Sequence, residues 1–443
     1  MEDVLIIGAG LAGLSTAIEL LDMGRGVTLL ERYKVVGGRC ADWVADGMRV
    51  ESGLHRWLGF YKALPQLFER AGLDPEDAVI WEDELEIRLP DGGPQGVLGL
   101  SPLHRPLQTA AGLLGNFDLM SPADKAELTL FFTSGLVDYA LSRRALDQQT
   151  VYDYARKRGV SEDAITNLLI PVTEGIFFLP PQRYSAMVLM GLLVPAVKRP
   201  HTIRVGAFSG GMTEVMAGPI AEAITRRGGS IQLDTTIERL AVEDGRVRGV
   251  YVNGQLIEAN HVVLATSLGA AQPLIRDALG DHPWFEKMLA LPTMPAVTLQ
   301  IELDEPALPE DHVVFSPNTI LSSYSEQSRT TFRDVPGRLS IDLGRPEEFI
   351  GRPPEEIFAA AMADARRVGL NIEGNVRRYR VVDHPKDFYL LSPGSEALRP
   401  PQATPVPGLT LAGDYTRQAL FCSMEGAVIS GRAAAKVVER ARG

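Results

Sequence analysis

The chain has 443 residues, 45% of them apolar, and a formal net charge of −12, enough for two or three domain-sized cores of an ordinary globular protein. The acidic total argues against a nucleic-acid partner, since phosphate binding needs clustered Lys and Arg. Two cysteines, Cys40 and Cys422, and seven scattered histidines offer no disulfide framework and no ligand-like spacing, so no metal is expected.

Val4 to Ile7 reads as a short apolar strand. Met1 leads into it at once, so no secretory leader is expected. Gly8-Ala9-Gly10-Leu11-Ala12-Gly13 follows, then a helix from Leu14 to Met23 ended by Gly24 and Gly26. Val27 to Leu30 is a second strand, closed by Glu31. Gly8 permits the tight turn, Gly10 lets backbone approach a pyrophosphate, and Gly13 lets helix and strand pack closely. Ala9 and Ala12 belong to the same phosphate cradle, and the helix N-terminus adds free N–H groups and a partial positive charge. Glu31, 18 residues after Gly13, can accept from ribose hydroxyls. A lone GxGxxG also occurs in ordinary glycine-rich turns. Here it lies between two strands, opens a helix and has the acid at the right distance.

Arg32-Tyr33-Lys34-Val35-Val36-Gly37-Gly38-Arg39 comes next. Gly37 and Gly38 can bring backbone close to a ligand, and Arg39 can reach a diphosphate bidentately; a surface turn is the plain alternative. Glu51-Ser52-Gly53-Leu54-His55 and Leu58-Gly59-Phe60-Tyr61 follow. Val97 to Met120 carries few charges and reads either as a tunnel mouth on a membrane surface or as a core loop and helix. Ala164 to Leu193, with Ile176, Phe177, Phe178, Leu179, Met187 and Met190, reads as helical core or as the wall of a long apolar tunnel. The longest nearly apolar run, Tyr184 to Val197, is too short to span a bilayer and contains Pro195.

Gly210-Gly211-Met212 precedes a helix from Glu214 to Arg227. Ile231 to Leu240, Val247 to Val252 and Gln255 to Glu258 alternate like antiparallel strands, and Val262 to Thr266 returns as a buried strand. Leu299 to Leu303 and Val376 to Asp383 read as strands, and Pro354 to Val368 as a helix. Leu409 to Ala412 is a strand running into Gly413-Asp414-Tyr415-Thr416, then Ser423 to Val428 and an amphipathic helix to about Val438. Gly413 permits a tight strand-to-loop turn, and Asp414 can bond a flexible polyol. Alone, Gly-Asp is a common turn dipeptide.

Arg32 to Arg39 resembles the second motif of the amine oxidase and carotene desaturase flavoproteins. Glu51 to His55 and Leu58 to Tyr61 resemble the Glu-x-Gly-Leu-His and Phe-x-Gly-x-Tyr segments of plant and cyanobacterial phytoene and ζ-carotene desaturases. Ala412 to Thr416, Ser423 to Ala427 and Arg399-Pro400 resemble them too. The likeness runs along nearly the whole chain, with residues 80 to 200 and 280 to 395 matching mainly in hydrophobic pattern. Trp57-Leu58 stands where an aromatic pair is usual. Absence of a transit peptide points to a prokaryotic protein.

The resemblance implies an α/β fold: a Rossmann-type FAD-binding domain of the amine oxidase and glutathione reductase kind, with an α+β substrate domain. Residues 1–80, 205–280 and 395–443 would form the first, and 81–204 and 281–394 the second. FAD would be held without a covalent link, since Cys40 and Cys422 do not match attachment positions of the superfamily. Its binding residues would be Gly8, Ala9, Gly10, Ala12, Gly13, Glu31, Arg32, Gly37, Gly38, Arg39, Gly53, Leu54, His55, Gly413, Asp414, Ser423, Met424 and Ala427. Ile237 would lie against the adenine and Ala265 beneath the dinucleotide. Amides around Met424 and Ala427 would stabilise negative charge on the reduced flavin.

The implied reaction is desaturation of a long apolar isoprenoid. Flavin N5 takes a hydride, a proton leaves, and the protein supplies orientation and a dry site. His55, Tyr415 and Glu425 are the catalytic candidates near the ring. No second GxGxxG provides for NAD(P)H, so the electron acceptor would be a quinone or oxygen. A cytoplasmic protein, peripheral on the inner membrane surface, would suit such partners. The alternatives are a peroxide-producing flavin amine oxidase, a squalene-pathway flavoenzyme resembling hydroxysqualene dehydroxylase, and a non-enzymatic flavin module. The lysine usual in amine oxidases is missing from Met288 to Pro306.

Overall fold

The computed structural model describes residues 2–82, 84–99 and 119–441. Of the stretch expected to frame a tunnel mouth, residues 100–118 lie outside the described residues.

The first sheet has seven strands, five of them parallel in the order Ser230–Gln232, Val27–Leu30, Glu2–Ile7, Gln255–Leu264 and Leu409–Leu411. Their apolar runs are buried on both faces, as a parallel sheet requires. The Gln255–Leu264 strand has two partners along its length. Residues 255–258 pair antiparallel with Arg246–Val252, and residues 259–264 pair parallel with Glu2–Ile7. Two strands expected separately, Gln255 to Glu258 and Val262 to Thr266, are thus one. The expected Ile231 to Leu240 strand is instead two. Ser230–Gln232 joins the parallel sheet, and Arg239–Glu243 joins the antiparallel extension. Between them the chain crosses the end of the second strand, where Thr235 N–H donates to Glu31 O at 2.8 Å and Asp234 N–H to Tyr33 O at 3.0 Å.

Helix Leu11–Asp22 begins directly after Gly10, three residues earlier than its apolar period suggests. It is wedged between the sheet and helix Met424–Arg440, and glycines set the spacing. A Cβ on Gly13 would lie 2.0 Å from Gly8 O, and one on Gly431 2.3 Å from Ala12 O. The helix expected from Glu214 starts as a π-turn, Thr213–Ala217, before Gly218–Arg226. Pro219 has no N–H to donate, and the ladder slips ahead of it.

The second sheet has the order Val376–Tyr389, Thr293–Leu303, Gly337–Leu343, Leu321–Glu326, Val314–Phe315, Glu84–Arg88 and Gln95–Gly99. Helix Pro354–Arg367 covers one face, where Leu299, Ile301, Leu339, Ile341, Ile357 and Ala361 form a core. The other face carries Thr298, Gln300, Glu302, Arg338, Ser340 and Asp342, all buried as well. It packs on the hairpin of Asp42–Ala45 and Met48–Glu51, where Glu51 N–H donates to Gln300 Oε1 at 3.0 Å.

Helices Pro122–Leu141, Ile170–Phe177 and Ala186–Lys198 add a further layer. The long apolar run expected to be helical breaks at Phe178, whose φ of 60° ends the Ile170–Phe177 helix. Met187 and Met190 are buried; Met190 packs on Gly135 of the neighbouring helix. Among the described residues no helix is long and apolar enough to cross a membrane.

Candidate functional site

A cavity of about 1410 Å³ runs between the two sheets. Single small-ligand pockets are roughly 300–1,000 Å³, so there is room for a dinucleotide and a second molecule. At one end the Gly8–Gly13 loop and the Gly37-Gly38 turn lie side by side. Gly37 N–H donates to Ala9 O at 2.9 Å, and a Cβ on Gly38 would lie 3.3 Å from Gly10 Cα. Gly8, Gly37 and Gly38 have φ of 100°, 116° and 58°, a region that L side chains resist. Gly10 caps helix Leu11–Asp22 with no side chain bonding the first amides, so these face the cavity as an anion cradle.

Glu31 closes the cradle. Its carboxylate accepts from Ala9 N–H at 2.8 Å and Tyr33 N–H at 3.0 Å, and it borders the cavity. Glu31 thereby fixes the glycine loop as well as offering a carboxylate edge to a ribose. Opposite, Arg39 Nη2 donates to Asp414 Oδ1 at 2.7 Å and stacks over the Phe388 ring at 4.8 Å. Burial alone would lower the arginine, but the Asp414 charge outweighs it and holds the guanidinium firmly protonated. The Gly413-to-Thr416 loop is pinned from behind. Buried Arg399 donates to the carbonyls of Asp414, Tyr415 and Thr416, and Ser430 Oγ accepts from Gly413 N–H at 2.9 Å.

The residues expected at the cofactor come together here. Gly8, Gly10, Ala12, Glu31, Arg32, Gly37, Gly38, Arg39, Gly53, Leu54, His55, Ile237, Ala265, Gly413, Asp414, Ser423, Met424 and Ala427 all line this one cavity. Ala9 and Gly13 lie just behind it, Ala9 bonded to Glu31 and Gly13 pressed on the Gly8 carbonyl. The donor set, the side-chain-free cradle and the acid at its end fit an FAD diphosphate and ribose.

Two of the three catalytic candidates fall elsewhere. Glu425 accepts from the N–H groups of Lys62, Ala63 and Leu64 at 2.7, 2.7 and 2.8 Å. It satisfies the open N-terminus of helix Ala63–Ala71, outside the cavity wall, because that helix has no cap of its own. The Tyr415 ring is fully buried behind Gly413, where an added Cβ would lie 2.6 Å from the ring's Cε1. His55 does face the cavity. Its Nδ1 lies 2.9 Å from Gly53 O. A carbonyl only accepts, so Nδ1 donates and Nε2 is left as an acceptor. Burial pushes this imidazole down to about 4, so it is neutral.

The far end of the cavity is walled by Val172, Ile176, Phe177, Phe178, Leu192 and Phe315. Phe177 and Phe178 are where the tunnel reading places them, whereas Met187 and Met190 pack away from it. Strand Thr293–Leu303 passes the cavity with Met294, Ala296 and Thr298 and brings no lysine there.

Sequence reasoning missed His384, Asp387, Asp342, Thr298 and Ser323, all cavity residues. His384 bridges Asp387 Oδ2 at 3.1 Å and Ser52 O at 2.8 Å, and Ser267 donates to Asp387 at 2.7 Å. Burial pushes Asp387 up, but its bonds from His384 and Ser267 outweigh it and hold the carboxyl well below the usual range. The available signal was the alternation of Thr298, Gln300 and Glu302 with apolar neighbours, which reads equally well as a solvent face.

The description "flavin containing amine oxidoreductase" fits the chain over residues 11–439. The 15-cis-phytoene desaturase of Synechococcus elongatus is 30% identical over 98% of this chain and 95% of its own length. The zeta-carotene desaturase of a Synechocystis species is 26% identical over 98% of this chain and 96% of its own. In fold, the chain matches an oxidoreductase from Methanosarcina mazei with a TM-score of 0.75 at 18% identity, covering 97% of this chain and 98% of that one.

Proposed function

The chain belongs to the flavin containing amine oxidoreductase family, and on that footing we propose that it desaturates a long apolar isoprenoid of the carotenoid type. It is an FAD-dependent oxidoreductase with the α/β fold of that family. The observation that carries the substrate reading is the cavity itself, a nucleotide cradle opening into a wall of Val172, Ile176, Phe177, Phe178, Leu192 and Phe315. Full-length similarity to the phytoene and zeta-carotene desaturases supports it.

FAD supplies a hydride acceptor when bound. The chain's own residues do the rest. The Gly8–Gly13 loop and the Leu11–Asp22 helix N-terminus would hold the diphosphate, Glu31 the adenosine ribose, and Arg39 with Asp414 the polyol side. The Met424 amide opens the Met424–Arg440 helix and would stabilise negative charge on the bound cofactor, whereas the expected Ala427 amide is spent within the helix on Ser423 O at 3.0 Å. His55 Nε2, neutral and unprotonated, offers the cavity a hydrogen-bond acceptor. The apolar wall recovers about 25 cal/mol per Å² of isoprenoid surface and excludes water. In this reading residues 1–80, 205–280 and 395–443 hold FAD, and 81–204 and 281–394 shape the substrate end. The electron acceptor is a quinone.

Membrane contact belongs to the same proposal. Leu130, Val137 and Leu141 project from helix Pro122–Leu141 with 57%, 55% and 80% exposure, and Val197 at 57% stands on the Ala186–Lys198 helix packed beside it. Lys198 and His201 follow at the rim. An apolar patch with basic residues beside it suits an anionic lipid surface.

Anaerobic flavin bleaching tests the function. Phytoene or ζ-carotene in liposomes should reduce the bound flavin, and primary and secondary amines should not. Reduction by amines alone would overturn the proposal and restore the amine oxidase reading, which the lack of a lysine on strand Thr293–Leu303 disfavours.

A further inference from the structure

One polar row interrupts the cavity wall. Thr298, Asp342 and Ser323 stand on three adjacent strands and pair in register, Thr298 with Asp342 and Asp342 with Ser323. Residues directly opposed across antiparallel strands share a face, and all three line the cavity. They are nearly buried, at 2%, 3% and 2% exposure in that order. Asp342 Oδ1 is taken, accepting from the Thr298 hydroxyl at 2.8 Å and from Leu54 N–H at 3.4 Å. Asp342 Oδ2 and the Ser323 hydroxyl have no hydrogen-bond partner among the described residues. His55 edges the same patch. A Cβ on Gly53 would lie 3.3 Å from His55 Cε1 and 3.6 Å from Thr298 Oγ1.

Polar groups this deep are normally satisfied, and three open ones in one patch point to a ligand. The inventory defines the chemistry. His55 Nε2 only accepts, Ser323 Oγ donates and accepts, and Asp342 Oδ2 accepts as carboxylate or donates as acid. Burial pushes Asp342 up to about 7 against the bonds from Thr298 and Leu54 and the weaker pull of Arg56 and His384, so both forms are present near neutrality. An alcohol, both donor and acceptor, matches this set. A quinone carbonyl only accepts and would face the His55 lone pair. A hydrocarbon here would strip water from all three groups and return nothing.

We propose that Thr298, Asp342, Ser323 and His55 form a subsite for an alcohol oxygen, so that the preferred isoprenoid carries a hydroxyl group. The proposal rests on the isoprenoid reading of the cavity. Thr298 is a positioning residue, holding Asp342 so that Oδ2 faces the ligand.

The test measures dissociation constants for flavin-loaded protein from perturbation of the flavin absorbance in detergent micelles. The ligands are geranylgeraniol, its methyl ether and the corresponding hydrocarbon lacking the oxygen. Wild type should bind the alcohol about tenfold or more tightly than the other two. Ser323→Ala, a small change that keeps the strand, should cut that preference several-fold. Asp342→Val should abolish it while the hydrocarbon binds as tightly as before or more so. Equal binding of alcohol and hydrocarbon by wild type overturns the subsite and leaves the isoprenoid reading standing. Binding of none of the three overturns both. A preference unchanged in both variants overturns the assignment to this row. If the variants instead lose decylubiquinone and keep the alcohol, the row serves the acceptor and the proposal falls.

Discussion

Arg39 and Asp414, 375 residues apart in the chain, meet through a 2.7 Å ion pair in the wall of the large cavity between the sheets. The pair ties the turn after the second strand to the loop before the last helix, the two halves of the proposed cofactor site. Asp414 is 4% exposed, and Arg39 turns its open side toward the cavity. Removing either partner leaves a desolvated charge. Asp414→Ala should lose flavin on dilution and destabilise the apoprotein by about 3 kcal/mol. Flavin occupancy after gel filtration and urea melts of the apoprotein check this. Full occupancy together with unchanged melting would contradict it.

Glu31 is expected to act twice, on the ribose and on its own loop. Glu31→Ala should weaken FAD binding by about 1.5–3 kcal/mol, the value of hydrogen bonds to a charged group. Because Ala9 N–H loses its acceptor, part of the cost should appear without cofactor. Calorimetric titration of apoprotein with FAD, set beside apoprotein melting, separates the two parts. A binding loss with no change in apoprotein melting would assign Glu31 to the ribose alone.

Glu425 separates structure from chemistry. Its three backbone bonds cap helix Ala63–Ala71. Glu425→Ala should cost about 2–3 kcal/mol of stability by orphaning buried N–H groups. The flavin that remains bound should be reduced by substrate at the wild-type rate. Stopped-flow reduction of the holoprotein fraction measures this, and a hundred-fold slower reduction in a stable variant would return Glu425 to the catalytic candidates.

His55 sets a pH dependence. Its folded pKa, about 4, lies below the usual 6.5 of histidine. The unfolded chain therefore binds the proton first. Stability from this group is complete above pH ~6.5 and is lost as pH falls toward ~4. Melting temperature should drop across that window more steeply in wild type than in His55→Gln. Parallel curves for the two proteins would show that the imidazole is not buried in this way.

The exposed face of helix Pro122–Leu141 gives a last test. Wild type should float with anionic liposomes, and Leu130→Gln/Val137→Gln/Leu141→Gln should stay in the soluble fraction. About 1.5–3 kcal/mol per large apolar side chain is at stake on full burial, so three together shift the partition by orders of magnitude. Unaltered flotation would move the contact elsewhere on the chain.

The grouping of the expected nucleotide-binding residues around one cavity was legible because its physics is local. A strand, a glycine turn, a helix N-terminus and an acid 18 residues later act through backbone geometry that a short segment contains. The same holds for Gly413-Asp414 before its helix. Glu425 and Tyr415 were misplaced for the opposite reason. Both stand in a cofactor motif, yet which way a side chain turns depends on what packs on it, and the uncapped helix at Ala63 is more than 360 residues away.

The alternating run from Thr298 to Leu303 marks the same boundary. Period two in the sequence determined a strand with one apolar and one polar face, and the strand formed. Only the tertiary structure decided that the polar face would also be buried, against the Glu51 hairpin on one side and the cavity on the other. Alternation records side-chain direction along a single strand, whereas burial and ligand contact depend on which distant surface closes over it. The sequence thus determined the cofactor and the family. The long-range docking of the two sheets decided that Asp342, Ser323 and His384 would share a cavity with it.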